Sequence, residues 1–219
     1  MWLQVAVNRC PSVIDAAIAE TLRLAQGESI EWVSPLKANN YVEYCDQRFV
    51  ESLGVDLRHK QLKEFWPSRG PVWDGLALTS NGRCLLVEAK ANVPEFNSSP
   101  SGASEGSLRK IRRALDDTKA FLSVRSKTEW TQCFYQYANR LAHLYFLKEV
   151  NEVDAALVFV YFVGDDTVPD RNPVSKAGWE AAIDLATHHL GVRLHSPWMR
   201  DNVADVFIDV NDLRPFANS

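Results

Sequence analysis

The 219-residue sequence predicts an α/β protein in which a central mixed β-sheet is flanked by helices. Three observations carry that prediction. Residues 155–163 form an unbroken apolar run rich in β-branched and aromatic side chains, the pattern of a strand buried on both faces. Asn81-Gly82 separates two strand-like runs, a strong short-range hairpin signal. Segments with helical periodicity precede, separate and follow these strands, which is the order of a sheet covered by helices.

Taken in order, residues 11–26 read as a helix. Pro11 suits its first turn, Ile14, Ala17, Ile18, Leu22 and Leu24 form its apolar side, and Gly27 closes it. Residues 29–39, with Ser34-Pro35, read as a connector. A second helix is predicted over 41–53, where Val42, Cys45, Phe49 and Leu53 keep helical spacing and Gly54 stops it. The hairpin strands follow at 72–78 and 84–91. Residues 92–107, rich in Ser, Gly, Pro and Asn, read as a mobile loop. A basic helix at 107–124 and the longest helix, at 131–150, lead to the buried strand. A helix at 176–190 and a strand at 205–210 complete the pattern. With no internal repeat and no linker, 1–219 is expected to be one domain: a core over about 40–163 and a C-terminal α/β extension over about 164–219.

Composition narrows the classes. Hydrophobic residues make up 46% and charged residues 24%, which excludes a disordered, collagen-like or coiled-coil chain. The net charge of −4 argues against a generally basic coat but leaves room for a local basic patch. Cys10, Cys45, Cys84 and Cys133 have neither zinc-site nor disulfide spacing, which points to a reducing compartment. No apolar run reaches the roughly 20 residues of a membrane span, and no secretory signal is evident. A cytoplasmic protein is expected. Neither a phosphate-binding glycine loop nor a G-x-S-x-G elbow occurs.

The chemistry lies on the hairpin. Asp74 stands among Val72, Trp73, Leu76, Ala77 and Leu78, and Glu88 and Lys90 end the run Leu85-Leu86-Val87. Alternation puts Glu88 and Lys90 on one face. Burying such charges is costly unless they are paired or bind a metal. Turn length decides how they meet. A two-residue turn, Asn81-Gly82, places Asp74 opposite Ala89 and sends Glu88 to the other face. A three-residue turn, Ser80-Asn81-Gly82, places Asp74 opposite Glu88 and Val72 opposite Lys90. Facing carboxylates destabilise a ladder, and a divalent cation between them reverses that sign; a turn of odd length, with Asp74, Glu88 and Lys90 converging, is therefore expected.

Pro71-Val72-Trp73-Asp74, thirteen further residues, then Glu88-Ala89-Lys90 resembles the PD-(D/E)XK signature of restriction-endonuclease-like nucleases. Two residues separate Pro71 from Asp74, where the signature has none. The resemblance covers about 40–163 and implies a restriction-endonuclease-like core and Mg²⁺- or Mn²⁺-dependent hydrolysis of DNA phosphodiesters, with the choice between DNA and RNA left open by the sequence. It implies that Asp74, Glu88 and the Ala89 carbonyl hold the metal and that Lys90 orients the attacking water. An acidic residue on the helix before the hairpin is implied too; Glu43 is the candidate, with Asp46 and Glu51 as competitors. In an exonuclease-like variant a Gln follows the motif, and Gln132 and Gln136 stand there without a clean Q-x-x-x-Y. A homodimer would suit double-strand cutting.

Arg109, Lys110, Arg112 and Arg113 form a basic run suited to phosphate contacts, or a solvated face balanced by Asp116 and Asp117. His188, His189 and His195 lack ligand spacing, and Tyr135, Tyr137, Tyr145 and Phe146 fit a core better than a base-stacking platform. The competing function is a catalytically silent module of the same fold that binds nucleic acid or protein.

Overall fold

The computed structural model describes residues 1–169 and 171–217. The chain opens with α1 (Trp2–Arg9) and α2 (Pro11–Leu22), then β1 (Ile30–Ser34), α3 (Asp46–Ser52) and α4 (Leu62–Phe65). The hairpin is β2 (Gly75–Thr79) and β3 (Cys84–Lys90). It is followed by α5 (Val93–Phe96), α6 (Glu105–Phe121), α7 (Tyr135–Tyr145) with a π-helical turn at Phe146–Val150, and β4 (Ala155–Val163). The remaining elements are α8 (Lys176–Leu190), α9 (Pro197–Asn202), β5 (Val203–Asp209) and α10 (Val210–Ala217).

The five strands form one mixed sheet in sequence order. The pairs β1–β2 and β2–β3 are antiparallel, and β3–β4 and β4–β5 are parallel. Parallel pairing needs long crossovers. The helices α5 to α7 supply the first and α8 and α9 the second, so the C-terminal residues add a strand to the same sheet.

Alternation along the strands divides the interior. Ala77, Leu85, Val87, Ala156, Val158 and Val160 face α1, α2 and α10, whose Ile14, Ile18 and Leu213 complete an apolar layer. Leu76, Leu86, Leu157, Phe159 and Tyr161 face α3, α4 and α6 to α8. On this second side the His143 imidazole is buried among Phe49, Phe65, Trp66 and Trp73, and burial pushes its pKa down to about 3.

Several expectations are corrected. Pro11 does start α2, but the helix ends at Leu22, four residues short of the expected end, with Arg23 rather than Gly27 in the left-handed cap (φ 54°). The connector at 29–39 contains β1, which Trp32 ties to α2 by donating its indole N–H to Asp15 Oδ1 at 2.8 Å. The second helix covers only 46–52, because the chain before it is extended and Tyr44 pairs with Trp73. The longest helix is α6, with 17 residues; α7 is interrupted after Tyr145 by the π-helical turn. α1, α4, α5, α9 and α10 were not visible in the periodicity.

Candidate functional site

The hairpin turn fixes the site. The Thr79 N–H donates to the Arg83 carbonyl at 2.9 Å, leaving Ser80-Asn81-Gly82 as a three-residue turn with Gly82 at φ 84°. Pairing then runs Leu78↔Cys84, Ala77↔Leu85, Leu76↔Leu86 and Gly75↔Val87. Asp74 stands in a bend one residue before β2, level with Glu88 if this register is continued by one step, and lines the same cavity as Glu88. Lys90, two residues on, lies on the same face.

The Glu88 carboxylate is 2% exposed and holds two cations. Lys90 Nζ lies 2.5 Å from its Oε1, and Arg140 donates through Nε at 2.6 Å to Oε2, with Nη2 also on Oε2 at 2.5 Å. Burial pushes the Glu88 carboxyl up, but Arg140 and then Lys90 pull it further down, so it stays ionised below the ordinary range. Asp74 behaves oppositely. Burial, and the negative charge of Glu88, raise it to about 7, although its Oδ2 accepts the Ala89 N–H at 2.7 Å.

These groups lie at the floor of a cavity of about 690 Å³. One wall is formed by Trp66 and the segment 69–72, another by 97–102, and α7 contributes Tyr135, Gln136, Asn139 and Arg140. The wall at 97–102 falls within the stretch expected to be mobile. Here it is tied down: Ser98 Oγ accepts the Gln136 N–H at 2.8 Å, and Ser101 N–H donates to the Thr131 carbonyl at 2.9 Å. Asn92 caps α5 by accepting the Glu95 N–H at 3.1 Å.

Asp74, Glu88, Lys90 and Gln136 are therefore brought together, and Gln136 Oε1 is buried without a hydrogen bond. Glu43 is not on a helix and does not line the cavity. It sits in the extended segment before α3, partly buried and near enough to Glu88 for both effects to raise its pKa. Asp46 is committed elsewhere: its carboxylate accepts the Arg69 and Gly70 N–H groups at 3.0 and 2.8 Å, bracing the cavity wall. Arg109, Lys110, Arg112 and Arg113 lie on the exposed side of α6, away from the cavity. Arg109 pairs with Glu105 at 3.6 Å, Lys110 donates to the Lys63 carbonyl at 2.8 Å, and Arg112 pairs with Glu129 at 3.5 Å. The four cysteines are free.

Arg140 escaped the sequence reading. Its signal was present: it shares a helical side with Tyr137, Leu141 and Leu144, and a lone arginine on a buried stripe requires an anionic partner.

The two carboxylates line one cavity and offer hard oxygen donors of the kind a divalent cation takes. The Asp74 Oδ1 has no hydrogen-bond partner among the described residues. The set is small, since no group of three or more His, Cys, Asp or Glu side chains is placed to share an ion among the described residues. Comparisons with protein-family models, curated proteins and solved structures give no match for this chain.

Proposed function

We propose that this chain is a metal-dependent nuclease that hydrolyses DNA phosphodiester bonds at the Asp74–Glu88–Lys90 cluster. The observation that carries the proposal is the convergence of Asp74, Glu88 and Lys90 on the lining of one cavity, where the Glu88 charge raises the Asp74 pKa. A helix before the hairpin, the hairpin, a helix after it and a further strand are the order that the PD-(D/E)XK resemblance implies, and the chain has these elements in that order.

Asp74 and Glu88 would hold Mg²⁺ or Mn²⁺, with the Ala89 carbonyl as a third donor. A strand residue directs its N–H and C=O toward the same neighbour, and the Ala89 N–H points to Asp74. The bound ion would supply Lewis-acid charge stabilisation and an activated water. Lys90 has one hydrogen bond, so its ammonium keeps two donors for a phosphate oxygen or the attacking water. Ser98, Ser99, Ser101 and Asn139 present neutral polar groups along the walls.

The test is cleavage of end-labelled single- and double-stranded DNA, and of RNA, in Mg²⁺, Mn²⁺ and EDTA. Metal-dependent cleavage that is lost in Asp74→Asn and Lys90→Met, with both variants folded, supports the assignment. Equal cleavage by both variants refutes it. A second reading, the silent module, is favoured by one observation: Glu88 is already neutralised by two cations. A melting temperature unmoved by millimolar Mn²⁺, together with nucleic-acid binding without cleavage, would select it.

A further inference from the structure

Glu88 meets two cations that are held in very different ways. Arg140 makes three hydrogen bonds, from Nε to Glu88 Oε2, from Nη2 to the Val72 carbonyl at 2.8 Å and from Nη1 to Asn139 Oδ1 at 2.9 Å, and Nη2 also forms an ion pair with Glu88 Oε2. Its guanidinium also lies over the Trp73 ring, 4.7 Å from the centroid, and the residue is 4% exposed. It is thus fixed by the strand carrying Glu88, by the segment leading into β2 and by its own helix. Lys90 makes a single hydrogen bond, to Glu88 Oε1, on a flexible stem that reaches the cavity. Moving Arg140 would strand a carbonyl, an amide oxygen and a buried carboxylate oxygen together. Moving Lys90 frees Oε1 alone.

We infer that Arg140 is the positioning residue of this site: it holds Glu88 permanently by Oε2, while Lys90 is a placeholder that yields Oε1 to a divalent cation. The inference rests on the metal-dependent reading above and deepens it. Arg140 touches no reacting atom. It fixes the Glu88 carboxylate through Oε2 and leaves Oε1 to Lys90. Lys90 screens that oxygen when the cation is absent and turns toward the phosphate when it is present. One carboxylate therefore serves a structural ion pair through one oxygen and a ligand role through the other.

The test is isothermal titration of the full chain with Mn²⁺ alone, which reads binding without substrate or turnover. Arg140→Lys keeps the charge and removes the planar fork, so Mn²⁺ affinity should fall at least tenfold. Lys90→Met removes the competing cation and leaves the fork intact, so affinity should rise about tenfold. Circular dichroism checks folding, and Lys90→Met keeps the inference testable should Arg140→Lys fail to fold. Unchanged affinity in folded Arg140→Lys, or in Lys90→Met, overturns the inference while leaving the metal-dependent reading standing. A wild-type chain that binds no Mn²⁺ overturns both.

Discussion

The two faces of the sheet are built from the same strands and do different work. Toward α1, α2 and α10, β3 presents Leu85, Val87 and Ala89, and β4 adds Ala156, Val158, Val160 and Phe162, so the two central strands are wholly apolar on this side. Toward α7 it presents Cys84, Leu86, Glu88 and Lys90, and that side also holds Arg140, His143, Tyr137, Tyr161 and Asp205. The first face needs only volume and hydrophobicity. The second tolerates charge because each buried ion is matched or its protonation shifts: Glu88 is doubly paired, His143 stays neutral, and burial raises Asp74 to about 7 and Asp205 to about 6. A sheet can thus separate stability from chemistry across the thickness of one strand.

The contrast breaks most severely if charge is moved to the apolar face. Val158 is fully buried there, and Val158→Asp should cost more than about 4 kcal/mol or prevent folding, as read by urea denaturation. On the polar face, Glu88→Ala leaves Arg140 buried without its carboxylate and should cost about 3–5 kcal/mol in the same measurement. Asp74 has the opposite sign. Its pKa is about 7 in the fold against 3.8 ordinarily, so the folded chain holds this proton more tightly. Stability from this group is greatest below pH 4 and falls as pH rises through 7. Asp74→Asn should remove that slope and stabilise the metal-free chain at pH 8 by about 2 kcal/mol, measured by denaturation at pH 5 and 8. The smallest effect belongs to the surface: Arg112→Ala breaks a half-exposed pair with Glu129 and should change stability by less than about 0.5 kcal/mol.

The parts of this molecule legible in its sequence share a physical property. β4 and α8 occur where periodicity placed them because continuous burial and a capped amphipathic run are local signals. The turn at 80–82 was one of two lengths open to Asn81-Gly82, and the choice rested on pairing, which periodicity does not carry. β1 was missed since its five residues gain strand character only beside β2. The same holds for the site. Asp74, Glu88 and Lys90 are conspicuous as charges in apolar strands. Arg140 lies 52 residues beyond Glu88, and only the crossover through α5 to α7 brings it back over the sheet. The Ser-rich stretch looked mobile from composition, yet it is held by hydrogen bonds to residues 131 and 136. The basic run on α6 shows the converse: a prominent charge cluster whose members mostly satisfy neighbours on the protein surface.

The turn at Ser80-Asn81-Gly82 has a consequence for how this chain tolerates insertions and deletions. Side chains in a strand alternate with a period of two, so the pairing of Thr79 with Arg83 decides which residue of β3 comes level with Asp74. A deletion that draws Arg83 into the turn would pair Thr79 with Cys84, bring Ala89 level with Asp74 and turn Glu88 to the other face, about 20 Å from the edit. A length change that leaves Thr79 paired with Arg83 preserves the face each residue occupies. An exposed loop tip is ordinarily the most permissive place in a protein for length change. Here it is permissive only while the Thr79–Arg83 pair is kept, because a slip of one residue sends Glu88 away from the cavity.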